Sequence, residues 1–256
     1  MATQLLQDKV ALVTGANRGI GAAVAKVFAG HGATVVVNYN RSRELAEQVV
    51  SDIEMAGGRA MACQADVTDR EQVERMVRDI VGQWSRLDIL VNNARPIPMS
   101  FKSYLETDSQ ELESRVVAEL RAVDVCCRSV FPIMKEKGRG RIINVSTIAA
   151  RQAQATGLVA AYSVAKAAME ALSRVIAVEF APYGIIVNVV APGLVLTERV
   201  RSRRSAAELE RLTAETPLHR LASPEDVAGA ILLFALEAAG FVTGQYVYVS
   251  GGTVVV

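Results

Sequence analysis

KVALVTGANRGIG, residues 9–21, is the stretch on which the fold turns. Lys9 to Thr14 is a short apolar, β-branched run closed by a glycine, the pattern of a strand buried on both faces. From about Ile20 to Gly30 the apolar residues recur at helical spacing. Between the two lies the turn Thr14-Gly15-Ala16-Asn17-Arg18-Gly19-Ile20-Gly21. A helix start offers unpaired N–H groups and a partial positive charge, so it attracts a pyrophosphate. Glycine is needed there because a Cβ would hold the phosphates away and keep the helix off the strand. Gly15, Asn17, Arg18, Gly19, Ile20 and Gly21 are therefore candidate contacts to a dinucleotide cofactor.

The same alternation continues outward. TVVVN (34–38) is the second strand, followed by a polar-faced helix over about Arg41 to Met55. GGRAMACQAD reads as a turn and third strand, and the helix after Asp69 ends near Trp84. LDILVNN (87–93) is the fourth strand. A long helix should run from about Asp108 to Lys137, capped by Asp108 or Thr107. RIINVS (141–146) and IIVNVVAP (185–192) are the fifth and sixth strands, separated by a helix from roughly Leu158 to Phe180. Ser223 as cap, Pro224 at the first helical position and Asp226 in the first turn mark another helix, before the last strand, YVYVSGG. The order implies an α/β fold: one doubly wound parallel sheet of about seven strands with helices on both faces. With no linker or repeat, residues 1–256 read as a single domain. Residues 194–215 break the alternation; polar and Arg-rich, they read as a mobile cover over a site.

Composition narrows the function classes. The 256 residues are 51% hydrophobic and 21% charged, which supplies a large core and excludes a disordered chain. A net charge of +1 gives no electrostatic reason to expect nucleic acid or an anionic membrane as partner. No apolar run is long enough to span a bilayer, and MATQLLQDKVALVTG lacks the basic start and cleavage site of a secretory leader. Cys63, Cys126 and Cys127 have no framework spacing and read as small core residues in a reducing cytoplasm. His31 and His219 are too far apart in sequence to argue for a metal site.

The end of the second strand speaks to the cofactor type. NAD binders place a carboxylate there for the ribose 2′-hydroxyl. Here the sequence is Asn38-Tyr39-Asn40-Arg41, with no acid. Arg41 and Arg18 are suited to clamp a 2′-phosphate through charge-assisted hydrogen bonds, with Asn38 and Asn40 beside them. NADP(H) is expected over NAD(H).

With TGANRGIG, Asp66-Val67, Asn92-Asn93-Ala94, Tyr162-Ser-Val-Ala-Lys166, Asn188 and Pro192-Gly193 in this order, the chain resembles the short-chain dehydrogenase/reductase family from Lys9 to Gly252. VVVNYNRSRELAEQVV and VTGQYVYVSGG make it most similar to the 3-oxoacyl-carrier-protein reductase branch. The resemblance implies a Rossmann domain and assigns roles. Asp66 would meet the adenine, Val67 would line its pocket, and Asn92, Asn93 and Ala94 would meet the cofactor at the fourth strand. Pro192, Gly193, Val195 and Thr197 would close over the nicotinamide. It also implies a homotetramer or homodimer, paired through the helices over 108–137 and 158–180.

Tyr162 and Lys166 are four apart on a helix and share one face. Carbonyl reduction needs hydride at carbon and a proton at oxygen; an ammonium near a phenol stabilises its phenolate and tunes it for that exchange. In the family the same lysine holds the nicotinamide ribose. A hydroxyl after the fifth strand completes the set. The matching position in Asn144-Val145-Ser146-Thr147 is Thr147, with Ser146 as the alternative; adjacent strand residues point to opposite faces, so the two cannot both serve. The loop from there to Tyr162 is about two residues longer than usual for the family.

Two positions depart from the family pattern. Glu119 stands where an Asn normally holds a relay water, and Arg95 replaces a glycine after Asn92-Asn93-Ala94. An ion pair between Arg95 and Glu119 would reconcile the changes. The substrate region, with Arg95, Gln154 and Leu194 as candidate contacts, mixes the apolar Ile97, Met99, Phe101 and Val195 with Arg151 and Gln152. The cover arginines Arg199, Arg201, Arg203 and Arg204 read chiefly as a solvated face. Tyr183 stands where carrier-protein reductases place a basic residue, which argues against carrier docking. The expected function is an NADPH-dependent ketoreductase on a small ketone or acyl thioester. The alternatives are a catalytically weak or inactive NADP(H)-binding sensor with a modified site at Glu119 and Arg95, and a non-redox lyase or isomerase.

Overall fold

A computed structural model of the chain describes residues 4–153 and 159–255. The first half alternates β1 (Val10–Val13), α1 (Gly19–Gly30), β2 (Thr34–Tyr39), α2 (Arg43–Met55), β3 (Arg59–Gln64) and α3 (Arg70–Trp84). The chain then returns to the middle of the sheet with β4 (Ile89–Asn92), α4 (Ser109–Glu136), β5 (Gly140–Val145), α5 (Ala160–Phe180) and β6 (Ile185–Pro192). It closes with α6 (Glu198–Arg201), α7 (Ala206–Glu215), α8 (Pro224–Ala235) and β7 (Tyr246–Val249). All neighbouring strands are parallel, in the order β3-β2-β1-β4-β5-β6-β7.

The order reverses between β1 and β4, and there the loops at the carboxyl ends of the two strands diverge to leave a crevice. One face of the sheet is covered by α1, α2 and α8, the other by α3, α4 and α5, each over its own apolar core. Strands β1, β2 and β6 are buried along their whole length, which is why they read as unbroken apolar runs. Among the described residues no helix is long and apolar enough to cross a membrane.

Local signals settle the helix starts. Asp69, Asp108 and Ser223 each accept a backbone N–H of the first turn, and Ser223 and Asp226 form a reciprocal capping box. Asp108, not Thr107, caps α4. Two expected boundaries shift. Helix α2 starts at Arg43, which leaves Arg41 in the turn. Helix α5 starts at Ala160 because Val159, which is outside the helical region, is held in a bridge to Lys102. The cover segment divides into α6 and α7, whose first turns are capped by Thr197 and Ser205.

Candidate active site

The glycine turn is braced from β4 and β2. The Thr14 hydroxyl donates to the Val91 carbonyl (3.2 Å) and accepts the N–H groups of Asn93 (2.9 Å) and Ala94 (3.0 Å). The Asn93 amide donates back to the carbonyls of Thr14 and Gly15. Gly15 is in the left-handed region at φ +60°, and a Cβ there would stand 2.8 Å from Ala94 Cα. A Cβ on Gly21 would stand 2.5 Å from both Asn93 Nδ2 and the Gly15 carbonyl. The cradle is thus built to leave backbone room beside the start of α1, whose first turn carries no acid. Gly21→Ala is expected to weaken dinucleotide binding at least about tenfold and to lower stability by about 1–3 kcal/mol through overpacking. Fluorescence titration and urea denaturation measure the two; unchanged binding would mean that this turn does not carry the phosphates.

Asn38 requires a correction. It is buried, its Oδ1 accepts the Gly15 N–H (3.2 Å), and its amide donates to the carbonyls of Cys63 and Ala65. All its polar atoms are used inside the protein, so it holds the turn rather than a ligand. Val67 is also buried, in the core beneath α3. Asp66 is partly exposed at the crevice edge and accepts from Thr68 (both N–H and hydroxyl) and from Asn40. Burial pushes its carboxyl up, but these bonds outweigh it and the net shift is downward. Arg18 and Arg41 are exposed, and among the described residues neither has an acid partner within 4 Å.

The start of the cover reaches the same turn. A Cβ on Gly19 would lie 3.5 Å from the Thr197 methyl, and Gly193 follows β6 with its N–H on the Val249 carbonyl. Val195 is buried and bridges to Ala222, so it anchors the start of the cover. Pro192 is buried at the end of β6, whereas Leu194 is only partly buried.

Tyr162 and Lys166 share one face of α5. Tyr162 is half-buried and Lys166 buried. Lys166 Nζ donates to the Val145 carbonyl (2.7 Å) and lies 2.5 Å from Glu119 Oε1. Burial opposes the lysine charge, but Glu119 foremost, then Tyr162, outweigh it and hold its pKa above the usual value. The expected Arg95–Glu119 pair does not form. Glu119 is 3% exposed beneath α5, whereas Arg95 sits at the exposed end of the turn after β4.

The two hydroxyl candidates separate as strand alternation requires. Ser146 is buried and donates to Glu170, which leaves Thr147 as the half-buried hydroxyl at this level. Ser146 is therefore corrected to a structural donor. Gln154 lies outside the described residues. Cys126 and Cys127 are buried in the core, where burial pushes both thiols up.

Three functional neighbours escape a residue-by-residue reading. Arg115, buried on α4 one turn before Glu119, donates to the carbonyls of Ile97 (3.3 Å) and Pro98 (2.6 Å) and holds the segment that follows Arg95. Glu170 and Tyr246 meet the Thr147 region from α5 and β7. For Arg115 and Glu170 a signal was present: each is a charge one turn from a site residue on a helix face.

Known proteins share this architecture over its full length. A family model described as enoyl-(acyl carrier protein) reductase matches residues 15–254. An oxidoreductase of Methylorubrum extorquens is 41% identical over 249 residues, covering 96% of this chain and 98% of the relative. A 3-oxoacyl-[acyl-carrier-protein] reductase of Synechocystis is 36% identical, covering 97% and 98%. Among solved structures, a putative gluconate dehydrogenase of Agrobacterium tumefaciens superposes with a TM-score of 0.91 at 29% identity, covering 100% of both chains. A 7α-hydroxysteroid dehydrogenase complexed with NADH and 7-oxo glycochenodeoxycholic acid gives 0.89 at 31% identity, covering 98% and 96%.

Proposed function

Because the chain belongs to the short-chain dehydrogenase/reductase family and is an NAD(P)-dependent oxidoreductase, we propose that it is an NADPH-dependent ketoreductase acting on a 3-oxoacyl or related ketone. The observation that carries this reading is the half-buried Tyr162 one turn before the buried Lys166 on α5, with Lys166 bonded to the end of β5 two residues before the half-buried Thr147. When bound, the nicotinamide supplies the hydride. Tyr162 gives its hydroxyl proton to the carbonyl oxygen, and Thr147 donates a hydrogen bond to the same oxygen. Lys166 stabilises the phenolate left behind, and its fixed place between Val145 and Glu119 keeps the charge at that oxygen.

The cofactor fits the empty backbone space at Gly15 and Gly21, with Asp66 and Asn40 at the adenine end. Arg18 and Arg41 take the 2′-phosphate, since among the described residues no acid pairs with them and no carboxylate ends β2. Replacing both by Ala is expected to lower NADPH affinity about 10²-fold while NADH affinity moves little, because charge-assisted bonds are worth about 1.5–3 kcal/mol each. Equal losses for both cofactors would overturn the 2′-phosphate assignment. Turnover of NADPH against 3-oxoacyl thioesters, diketones and cyclic ketones tests the reaction itself.

The whole chain acts as one NAD(P)-binding domain with 194–215 as its cover, in a reducing cytoplasm. Exposed Val117 on α4 and Val175 and Val178 on α5 suit the outer faces to pairing in a homotetramer or homodimer. A second reading, a cofactor-binding sensor, is favoured by one observation: exposed Arg95 crowds the position where the family keeps a glycine.

A further inference from the structure

Four successive residues running from the end of β5 into the following turn are each held by a different group. The Asn144 amide donates to Ser173 Oγ (2.8 Å), and the Val145 carbonyl accepts from Lys166 (2.7 Å). Ser146 donates to Glu170, and the Thr147 carbonyl accepts from the Tyr246 hydroxyl (3.0 Å). Glu170 also accepts from Arg151 Nε (2.9 Å), whose guanidinium carbon stacks 3.7 Å from the centre of the Tyr246 ring. Glu170 is thus the common point of a closed circuit: Ser146 before Thr147, Arg151 after it, and through Arg151 the tyrosine that grips the Thr147 carbonyl.

Stability does not account for this carboxylate. At 2% exposure it is costly to desolvate, and a buried ion pair is commonly replaced by apolar side chains at no loss. A second ligand site does not account for it either, since the cavity beside Glu170, Arg151 and Tyr246 is about 10 Å³, room for one water. Placement does. Tyr162, Lys166 and Glu170 stand at successive four-residue steps on α5, so one rigid helix carries both the proton donor and the group that fixes Thr147.

We propose that Glu170 is a positioning residue that sets the Thr147 hydroxyl against Tyr162 through Ser146, Arg151 and Tyr246. This rests on the ketoreductase reading for its chemical consequence, though not for the geometry. Both hydroxyls must meet one substrate oxygen, and a misplacement of about 1 Å costs about 10²-fold in rate.

The test is Glu170→Gln, measured in the native background and in Thr147→Val. Natively, kcat is expected to fall about tenfold with NADPH Kd unchanged; in Thr147→Val the same substitution should change kcat less than about twofold, because the positioned group is gone. Equal factors in both backgrounds, or NADPH binding that weakens in step with kcat, would overturn the proposal. Tyr246→Phe removes a single hydroxyl and serves should Glu170→Gln fold poorly; it should show the same background dependence. Hydrogen exchange reads the geometry without turnover. Peptides spanning 144–153 should exchange faster in either variant while those from α4 do not, and unchanged exchange there sinks the positioning role even if the protein reduces no ketone.

Discussion

Tyr162→Phe should lower ketone reduction by at least about 10³-fold and leave NADPH binding within about twofold, because it removes the proton donor and nothing else. The ring stays, so the start of α5 keeps its packing. Among the described residues the phenol makes no hydrogen bond, so no internal partner is left unsatisfied. Lys166 keeps its bonds to Val145 and Glu119 and with them its place on α5. The measurement is NADPH oxidation under single-turnover conditions, with fluorescence titration for affinity. Loss of turnover with intact binding is the signature of a general acid. Turnover that survives would remove Tyr162 from the reaction. Tight NADPH binding without turnover in either protein would move the sensor reading ahead.

The sheet was legible because its strands are buried on both faces and therefore apolar throughout, as β2 and β6 are. Helix starts were legible where a short polar side chain caps them, as Asp69 and Ser223 do. In the site, Tyr162 and Lys166 could be paired from spacing alone, since both lie on one helix. What could not be read was the direction of side chains whose partners come from other elements. Asn38 lies one residue before the end of a strand enclosed on both sides, so alternation says nothing about whether its amide meets a ligand or the neighbouring turn. Glu119 was expected to pair with Arg95, but whether Arg95 or Lys166 reaches it depends on how α4 packs against α5. The buried cation is nearer, so the pair forms there and Arg95 remains in solvent.

That buried pair gives the largest expected effect on stability. Glu119 and Lys166 are 3% and 4% exposed, and removing one partner leaves the other charge buried alone. Glu119→Gln and Lys166→Met should each cost about 3–5 kcal/mol, and the double variant should cost less than the sum of the two. The pH dependence has a definite sign. In the native protein the Lys166 pKa is raised, so its contribution is fully present below the ordinary lysine value and is lost only as pH rises through the raised one. In Glu119→Gln the largest remaining influence is burial, which lowers that pKa. The variant then relieves its strain by releasing the proton, and its deficit should shrink between pH 7 and pH 9.5 in urea denaturation. The alkaline limb of kcat should move to lower pH for the same reason, since a neutral amine no longer stabilises the phenolate. Additive single costs, or a deficit that does not change with pH, would mean that Lys166 does not depend on Glu119 for its charge.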